Sequence, residues 1–93
     1  MLERRILIVN RLGLHARAAA RLVRTAGVYH SSVRLERTDG SAVADAKSIL
    51  SVLLLAAARG TELRLTIEGT DEDAASEAVC ALIESGFGEE RET

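Results

Sequence analysis

Thr61-Glu62-Leu63-Arg64-Leu65-Thr66-Ile67-Glu68 alternates strictly between apolar and polar residues. In an extended chain Leu63, Leu65 and Ile67 fall on one side, and Glu62, Arg64, Thr66 and Glu68 on the other. A strand with one wet face belongs to an antiparallel sheet, because parallel strands are buried on both faces. Upstream, Ser32 to Arg37 repeats the pattern, with Val33 and Leu35 facing one way and Arg34 and Glu36 the other. Asp39-Gly40 is then a hairpin signal, and Ser41 to Ala44 is the predicted return strand. Residues 2–9, rich in β-branched side chains and ending at Asn10, supply a fourth strand.

Three helical segments separate and follow these strands. Ala16 to about Ala26 carries Ala19, Leu22, Val23 and Ala26 on one face, with Gly27 as the expected C-cap. Lys47 to Ala58 is the second predicted helix, stopped by Gly60. The third is expected to begin at Thr70 as a cap, with Asp71, Glu72 and Asp73 complementing its positive end. Its core stripe reads Ala75, Ala78, Val79, Leu82 and Ile83, and Gly86 ends it. The order β-α-β-β-α-β-α gives an α+β fold, an open-faced β-sandwich. A four-stranded antiparallel sheet would carry three helices on one face. Residues 1–88 read as a single domain and residues 89–93 as an acidic tail, with Glu89, Glu90 and Glu92 solvated.

Composition narrows the function classes. The 93 residues are 47% hydrophobic, which argues for a packed core, yet Tyr29 and Phe87 are the only aromatics. That core must be aliphatic, and a chain so poor in rings is badly equipped to stack bases. Cys80 is the single cysteine, so neither an internal disulfide nor a thiolate metal cluster is encoded. It reads as a small packing residue on the third helix. His30 reads as an exposed loop residue. No apolar run approaches the ~20 residues of a membrane span, and no leader segment is apparent. A cytoplasmic, monomeric domain with no cofactor, metal, nucleic-acid partner or membrane insertion is expected.

Charge is unevenly spread. Residues 1–37 hold eight arginines against Glu3 and Glu36, a net of +6, whereas residues 71–93 carry eight acids against Arg91, a net of −7. A basic half suits an acidic partner or a phosphate. Arg17, Arg21 and Arg24 line one face of the first helix at spacings of four and three. Lys47 is the only lysine, and a guanidinium grips phosphate in a way that an ammonium does not.

The chemistry gathers at Gly13-Leu14-His15-Ala16-Arg17. A histidine just before a helix meets backbone N–H groups that lack intrahelical partners, and the helix dipole favours an anion beside them. The same field disfavours an imidazolium, so the ring is expected to stay neutral near pH 7. A neutral imidazole has a lone pair with which to attack phosphorus, and a phosphate formed there would meet the amides and the Arg17 fork. On residues alone, the rival reading is a histidine that merely caps the helix or fills surface space.

Asn10-Arg11-Leu12-Gly13-Leu14-His15-Ala16-Arg17-Ala18-Ala19 resembles the active-site signature of the HPr family, the histidine phosphocarriers of the phosphoenolpyruvate-dependent phosphotransferase system. The likeness continues at Lys47-Ser48-Ile49-Leu50 and at Ile83-Glu84-Ser85-Gly86-Phe87-Gly88. It implies that His15 accepts phosphate on Nδ1 from phospho-enzyme I and passes it to the A domain of an enzyme II in sugar uptake. By the same resemblance Arg17 contacts the phosphate, with the Ala16 and Arg17 amides completing a cradle. Such a protein is a substrate of other enzymes and has no turnover of its own. The chain departs from the common pattern at Ala18, where many members carry proline. Alanine is an excellent helix former, so only the rigidity of the junction is affected.

Ser48 is expected to cap the second helix. The resemblance adds that a serine in this setting is phosphorylated in many bacteria by an HPr kinase, a further candidate partner. The helix it opens is apolar almost all round. Ile49, Val52, Leu53 and Ala56 are expected to face the sheet, and Leu50 and Leu54 to face outward. These two leucines, with Arg21, Arg24 and Lys47, form the predicted docking surface. Three functions stay open at this point: a sugar-uptake carrier, a carrier of the same chemistry serving nitrogen-related regulation, and an interaction domain in which His15 is never phosphorylated.

Overall fold

The structure is a computed structural model that describes residues 1–89. Its elements run β1 (Leu2–Leu7), α1 (Ala16–Gly27), β2 (Ser32–Arg37), β3 (Val43–Asp45), α2 (Ile49–Leu54), β4 (Glu62–Glu68) and α3 (Glu72–Glu84). The predicted order and fold class are both observed.

The sheet is antiparallel throughout, in the order β1-β4-β2-β3. β4 lies between β1 and β2, with Ile6 opposite Leu63 on one side and Leu35 opposite Leu65 on the other. β1 and β2 are therefore parallel to each other with a strand inserted between them, and so are β3 and β4 around β2. The fold is two interlocked split β-α-β units, and each crossover lays a helix on the same side of the sheet.

The alternation that defined β4 decides which side that is. Leu63, Leu65 and Ile67 are fully buried beside Ile6, Ile8, Val33 and Leu35. On the opposite face Arg64 pairs with Glu36 at 3.2 Å and with Glu3 at 3.6 Å. The helices close the core with Ala18, Ala19, Leu22 and Ala26 from α1, Val52 from α2, and Ala75, Val79 and Ile83 from α3. Each deeply buried medium-sized aliphatic side chain of this kind contributes about 1.5–3 kcal/mol. Phe87, just beyond α3, is the largest fully buried side chain.

Several predicted boundaries move. β1 ends at Leu7, although Ile8 still exchanges backbone bonds with Gly60 and Thr61. α1 runs through Gly27 and is capped at Val28, with Gly27 open to solvent. The return strand starts at Val43, because Arg37 N–H bonds to Ala42 O at 3.0 Å and residues 38–41 make the turn. α2 is only six residues long. Ala56 adopts a left-handed backbone (φ +51) that no helix can include. Consequently Ile49, Leu53 and Ala56 are exposed, while Leu55 and Ala57 enter the core beside Val52. Leu50 and Leu54 do face outward, 67% and 70% exposed.

At α3 the N-cap position is Asp71, not Thr70. The Asp71 carboxylate is drawn away from the helix, accepting from His30 N–H at 2.8 Å, Ser31 N–H at 2.9 Å and the Ser31 hydroxyl. Ser76 joins the buried stripe of this helix, and Ala78 and Leu82 are half-buried. Among the described residues, no helix is long and apolar enough to cross a membrane.

Candidate functional site

The loop from β1 to α1 is folded by its own backbone. Gly13 N–H bonds to Asn10 O at 3.1 Å, and His15 N–H bonds to Gly13 O at 2.9 Å. Gly13 sits at φ +66 with its Cα against Ala57 and Ala58, a conformation and a closeness that only glycine tolerates. Leu14 is buried and its N–H bonds to Ala57 O at 2.9 Å. The two residues before His15 are thus fixed to the core, and the histidine is presented at the mouth of α1.

His15 is the N-cap residue of α1, with extended backbone angles and its carbonyl accepting from Ala19 N–H at 2.8 Å. Its ring makes no capping bond, so the reading of a histidine that merely caps the helix does not describe this geometry. Ala16 and Arg17 follow it on the surface. The first-turn amides of a helix have no intrahelical acceptor, and no acidic residue occupies the first turn of α1. No acid of the helix itself therefore competes for its positive end beside the ring. Ala18 is fully buried, and its methyl packs into the core.

A carboxylate completes the cluster, and sequence reading missed it. One Glu89 oxygen is in hydrogen-bond contact with His15 Nε2, and the other accepts from Asn10 Nδ2 at 2.9 Å. Asn10, itself buried, also donates to Gly13 O at 2.8 Å. Burial pushes the Glu89 carboxyl up, but the hydrogen bonds from Asn10 and His15 and the charges of His15 and Arg17 outweigh it and hold the group below its ordinary range. Glu89 is thus not part of a solvated tail: its side chain is only 14% exposed, against 25% for His15. Glu90 and Glu92 lie outside the described residues.

A left-handed turn brings Glu89 there. Gly86, Phe87 and Gly88 have φ values of +71, +61 and +70, which reverse the chain after α3. The buried Phe87 ring anchors the turn, and Arg21 donates to Phe87 O. The Gly-Phe-Gly spelling was the available signal for a reversal, but nothing local says where it leads. Beside the cluster opens a cleft lined by Asn10, Arg11, Arg17, Arg21, Arg59 and Glu89 among others. Arg59, outside the predicted arginine stripe, is thereby added to the basic surroundings.

The other predicted site residues are scattered in role. Arg24 is exposed in the last turn of α1. Arg21 is tied to the C-terminal turn, and Lys47 Nζ donates to Tyr29 O at 2.8 Å. Ser48 is the N-cap of α2 and its hydroxyl accepts from Ser51 N–H at 3.3 Å. Cys80 is half-buried and burial pushes its thiol up, as suits a packing residue. His30 is exposed. Among the described residues no three His, Cys, Asp or Glu side chains are grouped to hold a metal ion.

Comparison with known proteins adds an independent line. The family model described as "PTS HPr component phosphorylation site" matches residues 2–85. The phosphocarrier protein HPr of Xylella fastidiosa is 47% identical over 90 residues, covering 97% of this chain and 99% of that protein. The phosphocarrier protein HPr of Pseudomonas aeruginosa is 51% identical over 84 residues, covering 90% and 92%. The crystal structure of an HPr from Thermoanaerobacter tengcongensis is similar with a TM-score of 0.90 at 42% identity, covering 98% of this chain and 100% of that one.

Proposed function

Given that the chain belongs to the HPr family, the phosphocarrier component of the phosphotransferase system, we propose that His15 is the residue that carries its phosphoryl group. Its relatives are phosphocarrier proteins, passing on a group that other proteins supply and consume. In this reading phospho-enzyme I is the donor and an enzyme II A domain the acceptor, and the exchange takes place in the cytoplasm in the service of sugar uptake.

The observation that carries the proposal is the position of His15 at the N-cap of α1 with its ring uncommitted to capping. The Nδ1 lone pair attacks the phosphorus of the donor; the bond from phosphorus to the donor breaks and its electron pair stays with the donor. The new P–N bond leaves three phosphate oxygens at the positive helix end. There the Ala16 and Arg17 amides and the exposed Arg17 guanidinium supply donors, and charge-assisted bonds of this kind are about twice as strong as neutral ones. Onward transfer is the same step reversed, the P–N electron pair returning to the ring.

Docking is assigned to the outward Leu50 and Leu54 and to the exposed Arg24. Arg21 and Lys47 belong to the same reading of the docking surface, although each also bonds within the chain, to Phe87 O and Tyr29 O respectively. Ser48 is the regulatory site of the reading, phosphorylated by an HPr kinase. A phosphate at a helix start is electrostatically tolerated, so its effect falls on partners approaching the neighbouring leucines.

Two labelling experiments test these roles. Incubation with phosphoenolpyruvate and enzyme I should give acid-labile phosphate that disappears in His15→Ala. HPr kinase with ATP should give acid-stable phosphate that disappears in Ser48→Ala. Label that survives either substitution removes the corresponding assignment.

A further inference from the structure

We propose that Glu89 is a positioning residue for the His15 ring, holding the proton on Nε2 so that Nδ1 both receives and releases the phosphoryl group. The inference rests on the reading of His15 as the carrier.

An ionised carboxylate can only accept hydrogen bonds. In its contact with Glu89, His15 Nε2 must therefore be the protonated nitrogen, which in a neutral ring leaves the lone pair on Nδ1. The other Glu89 oxygen is held by Asn10 Nδ2, and Asn10 is held by Gly13 O. Both Asn10 contacts end on acceptors, so the amide cannot be turned over without losing them. Ring, carboxylate, amide and loop backbone thus form one closed circuit. The buried Phe87 and the Arg21 bond to its carbonyl fix the segment from which Glu89 projects. The arrangement follows the general logic by which a carboxylate sets the tautomer and orientation of a reactive imidazole.

Its consequence is largest after phosphorylation. When Nδ1 bears phosphate and Nε2 keeps its proton, the ring is a cation, and P–N cleavage returns the electron pair to give a neutral imidazole. Without that proton the leaving group would be an imidazolate, a far poorer one. Glu89 faces this cation directly. Arg11, Arg17, Arg21 and Arg59 line the adjoining cleft and oppose it, and Glu84 lines the same cleft without a bond to the ring. The balance between carboxylate and guanidinium groups sets how far up the pH scale the phosphorylated ring keeps its reactive form.

The test compares the wild-type protein with Glu89→Gln, using Glu84→Gln as a control that removes the same charge from the same cleft. Nitrogen NMR of the unphosphorylated ring should show the Nε2–H tautomer dominant in the wild type and in Glu84→Gln, and a more mixed population in Glu89→Gln. For the phosphorylated proteins, the pH profile of onward transfer should move down by about one unit in Glu89→Gln alone, a roughly tenfold loss of rate on the alkaline limb. An unchanged tautomer population together with an unchanged profile in Glu89→Gln overturns the proposal, and so does an equal change in Glu84→Gln. The NMR arm needs no phosphate. Should His15 fail to accept any, the carrier reading falls while the tautomer result still decides the role of Glu89.

Discussion

Leu14 N–H and Ala57 O are joined at 2.9 Å, and this bond fastens the loop that bears His15 to the segment following α2. Leu14 lies one residue before the histidine, and Ala57 is buried one residue after the left-handed Ala56. The short length of α2 therefore has a use. By stopping at Leu54 it lets Leu55 and Ala57 turn inward, and the Ala57 carbonyl supplies the acceptor that holds the loop bearing His15.

Gly13→Ala should break this arrangement. A Cβ there would stand 2.5 Å from Ala57 O and 2.9 Å from Ala58 Cα, on a backbone at φ +66. Backbone atoms cannot yield cheaply, so a loss of about 1–3 kcal/mol in urea denaturation is expected. Phosphoryl acceptance should fall more than stability alone explains. A variant as stable and as active as wild type would show that the contact does not constrain the loop.

Phe87→Ala removes the largest side chain of the core and should cost about 3–5 kcal/mol. Phe87→Leu refills part of the space, so its loss should be smaller. Both should loosen the 86–88 turn and displace Glu89 from His15, which a changed ring nitrogen spectrum would report. A Phe87→Ala melt within 1 kcal/mol of wild type would contradict the burial assigned to this ring.

Asp71 governs part of the acid limb of stability. Hydrogen bonds from the Ser31 hydroxyl and the His30 and Ser31 amides outweigh desolvation and lower its carboxyl from 3.8 to about 2. A depressed carboxyl contributes fully above its unfolded value and loses that contribution as pH falls through the folded one. Asp71→Asn should therefore be less stable near neutrality, and its stability should vary less with pH between 3.8 and about 2. Parallel curves for the two proteins across that window would refute the assignment.

Ser48→Ala should lower stability by about 1 kcal/mol through loss of the α2 cap. Ser48→Asp can still cap, so it should retain most of the fold while weakening partner binding through charge beside Leu50. Calorimetric titration with an enzyme II A domain separates the effects. Equal affinity for Ser48→Asp and wild type would leave Ser48 a purely structural residue.

β2 and β4 were legible because each carries a period-two pattern with one buried face, and Leu63, Leu65 and Ile67 orient the sheet; β1 was legible by its β-branched residues and β3 by the Asp39-Gly40 turn before it. The place of His15 at the start of α1 was legible because the residues that set it are local in sequence. α2 was misjudged at both ends and on its buried face. Its leucines run without a clear period, so spacing could not show that Ile49 and Leu53 stay exposed while Leu55 turns in. Thr70 was favoured as a cap over Asp71 because the demand of the His30–Ser31 backbone, 40 residues away, has no local signature. Glu89 escaped for the same reason, since 74 residues separate it from His15. With Glu89, Glu90 and Glu92 together at the chain end, composition suggested only a solvated tail.

The central claim is that His15 carries phosphate on Nδ1. The most direct measurement is phosphorus–nitrogen coupling by NMR in protein labelled with ¹⁵N and phosphorylated with phosphoenolpyruvate and enzyme I. A single phosphoramidate signal coupled to Nδ1 of His15, absent from His15→Ala, is the predicted result. Phosphate coupled to Nε2, or an undiminished signal in His15→Ala, would contradict the account.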